Sequence, residues 1–269
     1  MDGDRCPQAI DVFPGGKPTN MHRFYVNPQE IKGNQVRLDQ EQSRHIEKVL
    51  RFVPGDRIMV FDGLGREYEV VLSRVVAGQA EGEIIRRLPV GDEPVMRVKL
   101  VQGIAKGDKM DFIIQKAVEL GVDAIYPLSS QHAVVKLEKE RALKKQERWR
   151  VIAREACKQC RRSRIPEVYP PLSLVSLLEI IDAQPAIMLY ENEKQQGFKE
   201  LLKEKRPFLL GEQELFLIIG PEGGFAETEV EQARSQGVMT AGLGPRILRT
   251  ETAGLAALTI VLYELADLG

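Results

Sequence analysis

The stretch Leu215-Phe216-Leu217-Ile218-Ile219-Gly220-Pro221-Glu222-Gly223-Gly224-Phe225 passes from a continuous apolar run directly into a loop with three glycines. A short apolar run is typical of a strand that is covered on both faces of a parallel sheet. Glycine permits positive φ at a sharp turn, and the missing side chains also let a ligand lie against the backbone. Both interpretations of the loop stay open. The following residues, Glu227–Gln236, have the pattern of an amphipathic helix, so the stretch predicts a strand, loop and helix of an α/β sheet.

The rest of residues 95–269 repeats this alternation of strand and helix. Val95–Ile104, Ala124–Leu128 and Ala186–Tyr190 are further predicted strands. A mostly parallel sheet in an α/β domain is therefore expected. The last predicted helix is apolar nearly all round, which favours a central position, a subunit interface, or both, and hence a homodimer. The other predicted helices are Asp108–Leu120, Glu138–Arg162 and Ser173–Ile181, and the last one is Glu251–Leu268.

Residues 21–90 have a different pattern, with short β-type stretches separated by turn signals. One helix interrupts them, with Asp39 as its N-cap and with Ile46, Val49 and Leu50 on its apolar face. About five strands and one helix in so short a segment predict a small β-barrel. The residues before it, 1–20, are rich in proline and glycine and are expected to form a flexible arm. The predicted strands are His22–Val26, Gln35–Leu38, Ile58–Asp62, Glu67–Val76 and Glu81–Leu88.

Composition excludes several classes of protein. The chain has 269 residues with a net charge of −1, 43% hydrophobic and 29% charged residues, as in an ordinary globular protein rather than a disordered or fibrous one. No apolar run reaches the roughly 18 residues of a membrane span, so we expect a cytoplasmic protein. Cys157 and Cys160 form a C-x-x-C pair, but no second pair accompanies them as in a zinc ribbon. We therefore expect no metal site.

Positive charge is concentrated in Lys136–Arg164, which contains twelve basic and four acidic residues. Such a run is often only a solvated helix face, and that interpretation stays open. The acids of this stretch are too few to pair most of its bases, which favours a surface that binds a polyanion such as nucleic acid. Arg23, Arg37, Lys106 and Lys109 could extend this basic surface.

A second glycine-rich loop lies about twenty residues after the first, in Gly242–Ala253. Two arginines, Arg246 and Arg249, bracket an Ile-Leu pair, an arrangement that suits an aromatic base beside an anionic backbone. Thr250 is expected to cap the terminal helix. Neither loop has the spacing of a P-loop or a dinucleotide fingerprint, and Glu222 would repel a phosphate. A ligand with a positive centre and an uncharged purine would suit the loop that contains Glu222 better than a nucleoside triphosphate.

Three segments together resemble the bacterial 16S ribosomal RNA (uracil-1498) N3-methyltransferase family. They are Met21–Val26, Gly220–Phe225 and Leu243–Ala253, which contains the pattern L-G-x-R-I-L-R-x-E-T-A. The resemblance implies a SPOUT-class enzyme with S-adenosylmethionine as cofactor, a PUA-like RNA-binding barrel before it, and a homodimer. It also implies a trefoil knot in residues 95–269 and action on 16S ribosomal RNA of the small ribosomal subunit.

The resemblance implies the cofactor-binding residues, whereas we infer the catalytic and RNA-binding residues from their charge and position. Arg249 would stabilise the developing uracil anion, and Glu251 is the nearest candidate proton acceptor in the sequence. Glu251 could equally cap the last helix or pair with Arg249. The segment Glu155–Arg162 is similar to an E-A-x-x-Q helix of the family. The expected cofactor-binding residues are Leu189, Tyr190, Glu191, Gly220, Pro221, Glu222, Gly223, Leu243, Gly244, Ile247, Leu248 and Arg249, and the expected RNA-binding residues are Arg23, Lys106, Lys109, Arg154, Arg161 and Arg162.

Two alternatives compete with this function. One is a SPOUT enzyme that methylates another position, such as a ribose 2′-hydroxyl or a guanine of transfer RNA, because the cofactor loops would look similar. The other is a non-enzymatic RNA-binding factor in ribosome assembly that uses only the barrel and the basic helix. The presence of both glycine-rich loops beside Arg249 argues against this second alternative.

Overall fold

The computed structural model describes residues 21–76, 78–89, 91, 93–132 and 139–266. Contacts divide the described chain into two units. The first contains the residues up to Gly91 together with Arg161–Ile165, and the second contains the remainder. The predicted N-terminal arm, residues 1–20, lies outside the described residues.

The first unit is built on a six-stranded sheet with the order β1-β4-β5-β6-β3-β2. Strand β1 pairs parallel to β4, and the other neighbours pair antiparallel. The sequence predicted five of these strands and missed β2, which has two residues. The strands are β1 (Arg23–Tyr25), β2 (Ile31–Lys32), β3 (Gln35–Arg37), β4 (Arg57–Phe61), β5 (Glu67–Val76) and β6 (Gln79–Leu88).

The helix of this unit, α1 (Gln40–Arg44), begins at the predicted cap, where the Asp39 carboxylate accepts a hydrogen bond from the Gln42 backbone N–H at 2.8 Å. It continues as a wider π-helical turn over His45–Leu50. Ile46 is fully buried in the core of the sheet, as predicted. The prediction for Val49 is wrong, since its side chain is 65% exposed. The π turn shifts residues away from the 3.6-residue spacing on which the prediction relied.

Arg23 joins two parts of this unit that are far apart in the sequence. Its guanidinium donates to Glu67 Oε1 from Nε at 3.0 Å and lies 3.8 Å from the centre of the Phe61 ring. It also donates to the backbone carbonyl of Arg162 at 2.7 Å. The Arg23 and Glu67 side chains are only 7% and 1% exposed. This buried ion pair therefore helps to hold Arg161–Ile165 in the first unit.

A glycine makes room for the same segment. Gly63 has a φ of +76°, and a Cβ placed there would lie 2.8 Å from Ile165 Cδ1. Its carbonyl accepts from the Ile165 N–H at 3.0 Å, and the Gly65 N–H donates to the Ser163 carbonyl at 3.1 Å. The close approach of the two backbones thus requires a residue without a side chain.

We predict that Arg23→Ala lowers the free energy of unfolding by about 3 kcal/mol, because it removes one partner of a buried ion pair. Urea denaturation of the variant and of the wild type would measure this loss in the free energy of unfolding. The control is Arg57→Ala, whose side chain is 55% exposed beside Glu69 and should cost less than about 1 kcal/mol. Equal losses in the two variants would contradict the structural role of Arg23.

The second unit contains a seven-stranded sheet with the order β10-β8-β7-β12-β11-β13, and β9 pairs with β8 off this path. Every recorded pairing in it is parallel. The predicted fold class, an α/β domain with a mostly parallel sheet after a small β unit, is therefore confirmed. The strands are β7 (Arg97–Gly103), β8 (Ala124–Ser129), β9 (Glu167–Val168), β10 (Leu172–Ser173), β11 (Ala186–Leu189), β12 (Glu214–Ile219) and β13 (Met239–Ala241).

Helices pack on this sheet, and one of them was missed in the sequence. Helix α5 contains Pro207, which is unfavourable inside a helix, although Phe198, Leu201 and Leu202 have helical spacing and are buried. The predicted first residue of α3, Glu138, lies outside the described residues. The helices are α2 (Lys109–Leu120), α3 (Lys139–Cys160), α4 (Leu174–Ile181), α5 (Phe198–Glu212), α6 (Glu227–Ser235) and α7 (Thr250–Leu265).

Helix α7 differs from the prediction at its first turn. Arg249 occupies the cap position with extended backbone, and Thr250 is the first helical residue. The Thr250 hydroxyl does not cap the helix but donates to the Gly220 carbonyl at 2.6 Å. Further along, one side of the helix is buried, whereas Tyr263 is 67% exposed and Ile260 36% exposed. The apolar residues of α7 thus extend from the core to the surface.

In the described ranges, no helix is both long enough and apolar enough to cross a membrane. The trefoil knot implied by the motif resemblance remains a prediction.

Candidate functional site

Three loops follow the carboxyl ends of the neighbouring strands β12, β11 and β13, and together they line a pocket of about 430 Å³. Ligands of open α/β sheets bind at this end of the strands. Of the twelve predicted cofactor-binding residues, all except Gly223 line the pocket. The two glycine-rich loops of the sequence are therefore brought together at one cavity, which the spacing alone did not require.

Two glycines explain the shape of the loop after β12. A Cβ at Gly103, at the end of β7, would lie 2.3 Å from the Pro221 backbone nitrogen. Gly224 has a φ of +68°, and a Cβ there would lie 3.0 Å from Glu191 Oε1. Gly223 turns away from the pocket, and its carbonyl lies 3.1 Å from His132 Nδ1. Glycine is therefore required here by the turn and by the close approach of neighbouring atoms, and the ligand-binding interpretation of the loop stays a prediction.

Glu193 connects the loop after β11 to α6 and β13. Its carboxylate accepts hydrogen bonds from Arg234 Nη2 at 2.6 Å, Thr240 Oγ1 at 2.9 Å and the Gln195 N–H at 2.9 Å. The hydrogen bond from Gln195 is the main reason that the pKa of Glu193 is lowered, against the opposing effect of burial. In addition, the Gly242 N–H donates to the Gln196 carbonyl at 2.9 Å. These bonds fix two walls of the pocket to each other.

A second connection runs through Thr250. Its hydroxyl accepts from Gln102 Nε2 at 2.8 Å while it donates to the Gly220 carbonyl. Gln102 is fully buried and also donates to the Gly103 carbonyl at 3.1 Å. The sequence analysis did not single out Gln102. A single amide side chain inside an apolar strand could have indicated that it has a structural role. The end of β7, the Gly220 loop and the start of α7 are thus joined.

Two charged side chains, Lys109 and Glu222, line the pocket, and Glu251 lies next to Lys109. Lys109 Nζ is 3.4 Å from Glu222 Oε1 and 3.3 Å from Glu251 Oε2. Burial raises the pKa of Glu222, but hydrogen bonds from the Lys106 N–H and from Lys109 outweigh it, and the net pKa is lowered. Glu251 was expected to accept a proton, cap the helix or pair with Arg249, and in the structure it pairs with Lys109. Lys109 was predicted only as an RNA-binding residue.

The two arginines of the second glycine-rich loop have exposed side chains and also line the pocket. Between them, Ile247 is 82% exposed. An anionic or aromatic group that approaches the pocket from solvent would therefore meet Arg246, Arg249 and an apolar side chain.

The predicted RNA-binding residues fall into different environments. Lys106 and Arg161 are exposed, whereas Arg23 is buried against Glu67. Arg162 is half-buried, and its backbone carbonyl accepts the hydrogen bond from Arg23. Arg154 Nε is 3.8 Å from Glu155 Oε1.

Other bases of the Lys136–Arg164 stretch are also paired, two of them with acids outside it. Arg148 forms an ion pair with Asp111, and Arg150 with Glu167. Lys136 lies outside the described residues. Acids contributed by α2 and β9 therefore neutralise part of the charge that the sequence count assigned to this surface.

In the part of the chain that the structure describes, no group of three or more His, Cys, Asp or Glu side chains could hold a metal ion. Cys157 is buried and Cys160 half-buried, both as free thiols.

Family models match both parts of the chain. Residues 92–262 match an RNA methyltransferase domain, and residues 38–85 match an RNA methyltransferase PUA domain. The first match covers more than half of the chain and contains every residue that lines the pocket.

Individual proteins are similar over nearly their whole length. The Bacillus subtilis ribosomal RNA small subunit methyltransferase E is 37% identical over 91% of this chain and 97% of its own length. The solved structure of the Neisseria gonorrhoeae ribosomal RNA small subunit methyltransferase E, bound to S-adenosylmethionine, is 34% identical, with a TM-score of 0.79 over 93% of this chain and all of its own. A Legionella pneumophila methyltransferase with bound S-adenosylmethionine has a TM-score of 0.81 at 32% identity, over 92% of this chain and 99% of its own.

These matches confirm the resemblance that the three sequence motifs indicated. With a relative 37% identical over almost its full length, the chain belongs to the ribosomal RNA small subunit methyltransferase E family.

Proposed function

We propose that this chain methylates 16S ribosomal RNA of the small subunit, with S-adenosylmethionine as the methyl donor and N3 of uracil 1498 as the acceptor. The observation that carries the proposal is the pocket of about 430 Å³ formed by loops with bare backbone at the carboxyl ends of parallel strands. The names of the relatives support the ribosomal substrate, and the Neisseria structure supports the cofactor. The position of the methyl group rests on the motif resemblance.

The pocket fits the cofactor in size and in chemistry. Its volume lies in the range of small-molecule sites, which is about 300–1,000 Å³. Leu189, Ile219 and Leu248 provide apolar surface for an adenine ring, while Glu191 and Glu222 provide negative charge. When bound, the cofactor supplies a methyl group on a positively charged sulfur atom. Carboxylates stabilise a nearby sulfonium centre, whereas they would repel a phosphate.

The chain has three tasks in such a reaction. It must align the acceptor nitrogen with the methyl group, and good alignment can contribute about 7–11 kcal/mol. It must stabilise the uracil anion, a role we assign to Arg249 on the exposed side of the pocket wall. It must also accept the N3 proton, a role we assign to Glu251, whose carboxylate is held by Lys109.

For RNA binding we propose residues in each unit, Lys106 and Arg154 in the second and Arg161 in the first. Arg162 and Lys109 would contribute from half-buried positions, and Arg23 through its hold on the Arg162 backbone. We further propose that the protein acts in the cytoplasm as a homodimer, because the exposed Tyr263 and Ile260 side chains of α7 offer an apolar surface.

The function is tested with small-subunit RNA from a strain that lacks the gene. Purified protein and S-adenosylmethionine should add one methyl group at N3 of uracil 1498, located by mass mapping. Arg249→Ala should slow the single-turnover rate by about 10²–10³-fold, because it removes a cation that stabilises charge in the transition state. The rate is measured with S-adenosylmethionine at saturation, and calorimetry determines the affinity for it separately, so that any loss of binding is not counted as a loss of rate.

Methylation at a ribose hydroxyl, at another base or in transfer RNA would instead establish the first alternative. Binding without methylation would establish the non-enzymatic one. An unchanged single-turnover rate in Arg249→Ala would remove Arg249 from the chemistry.

We expect Arg161→Gln to weaken binding of an RNA fragment that spans nucleotide 1498. Loss of one phosphate contact should reduce the slope of log affinity against log salt by about 0.7–0.9. Fluorescence titration at several salt concentrations measures this slope. The control Lys203→Gln removes an exposed charge from α5 and should leave the slope unaltered. If both variants keep the wild-type slope, Arg161 lies outside the RNA-binding surface.

Glu193→Ala should weaken S-adenosylmethionine binding about tenfold, because it releases the loop after β11 from α6 and β13. Calorimetry measures this loss, and circular dichroism checks that the variant is folded. Since the pKa of Glu193 is lowered, the advantage of the wild type should be present at neutral pH and disappear as the pH falls through that lowered value.

The matched control is Glu204→Ala, which removes a carboxylate that is 59% exposed on α5. Equal affinities of the two variants would show that Glu193 does not support the pocket.

A further inference from the structure

Lys109 occupies a position that neither its RNA-binding prediction nor the proposed roles of Arg249 and Glu251 explain. It is the first residue of α2, and its side chain, 34% exposed, lines the pocket. Its ammonium group lies within 3.4 Å of two carboxylates that come from different segments, Glu222 and Glu251. One cation is thus shared between the loop after β12 and the first turn of α7.

The two carboxylates differ in how they are held. Glu222 Oε1 also accepts a hydrogen bond from the Lys106 backbone N–H at 3.0 Å, so it is anchored to the segment before α2. Glu251 Oε2 is buried and makes no hydrogen bond within the described residues. Its recorded ion-pair contact is Lys109, at 3.3 Å. Glu222 therefore fixes Lys109 from one side, and Lys109 fixes Glu251 from the other.

A buried carboxylate oxygen without a hydrogen bond is costly unless a nearby charge stabilises it. Lys109 supplies that charge. The same oxygen keeps the capacity to accept a hydrogen bond, since a carboxylate accepts several. The Glu251 side chain is 19% exposed and is held beside Lys109, which lines the pocket.

We propose that Lys109 is a positioning residue for methyl transfer: its ammonium group joins Glu222 to Glu251 and sets the net charge of the pocket wall. This inference rests on the proposed function. In the step, the N3 proton passes to the Glu251 carboxylate, and the N3 lone pair forms the new bond to the methyl carbon. The bond from that carbon to sulfur breaks, and its electron pair stays on sulfur as a neutral sulfide.

The arrangement has a consequence for binding that does not depend on catalysis. S-adenosylmethionine carries a sulfonium charge that S-adenosylhomocysteine lacks. Lys109 places a positive charge on the pocket wall and therefore disfavours the charged ligand relative to the neutral one. Removal of this charge should shift the preference between the two ligands, whereas general damage to the pocket would weaken both alike.

The test compares Lys109→Met, Lys109→Arg and the control Lys116→Met. Lys116 lies on the same helix and pairs with Glu119 at 2.9 Å, and it does not line the pocket. In Lys109→Met, the ratio of S-adenosylmethionine to S-adenosylhomocysteine affinity, measured by calorimetry, should rise about fivefold. Its single-turnover rate on the substrate RNA should fall about 10–100-fold. Lys109→Arg should keep the wild-type ratio and most of the rate.

Three results would overturn the proposal. They are a Lys109→Met variant that matches Lys116→Met, an equal loss of affinity for both ligands, and an arginine variant as slow as the methionine variant. If wild-type protein fails to methylate the RNA, the proposed function is wrong. The affinity ratio then still decides whether Lys109 sets the charge of the pocket.

Discussion

The hydrogen bond from the Thr250 hydroxyl to the Gly220 carbonyl, at 2.6 Å, is the contact on which the site depends. Gln102 donates to the same hydroxyl from the end of β7, so one side-chain oxygen connects three segments that are distant in the sequence. Because Thr250 and Gln102 are buried, a partner lost from either would leave a polar group unsatisfied. The strand ends, the glycine-rich loop and the first turn of α7 are therefore held in one arrangement. The Glu193 hydrogen bonds secure the remaining wall in the same way.

Several basic residues that the sequence assigned to a binding surface are paired with acids, and this limits what a count of basic residues can indicate. Arg23 looks like a surface cation in the sequence, but it is buried against Glu67 and holds the Arg162 backbone. Lys109 looks like part of a basic surface, but it lines the pocket and lies between the carboxylates of Glu222 and Glu251. An ion pair of this kind holds its side chains in one arrangement, because a buried ion pair is favourable only in a defined geometry. The cations left exposed, such as Arg161, are the ones available to a polyanion.

Most elements of the fold could be predicted because their residues carry a local signal. The apolar run before Gly220 is strand β12, and the Asp39 cap begins α1 as expected. The errors have physical causes. Val49 is exposed because a π-helical turn changes the spacing of residues around the helix. Helix α5 was not predicted because Pro207 is unfavourable inside a helix. Thr250 has the residue type of a cap, but a stronger tertiary partner takes its hydroxyl.

By itself, the sequence determined the two-part architecture, the parallel sheet, the family and eleven of the residues that line the pocket, because each depends on periodicity or on a contiguous motif. Only the tertiary structure decided that Arg161–Ile165 belongs with the first unit and that Lys109 lies between Glu222 and Glu251. These arrangements join residues more than a hundred positions apart. Contacts at such separations leave no pattern in neighbouring residues, since they follow from how the strands are ordered and where their ends meet.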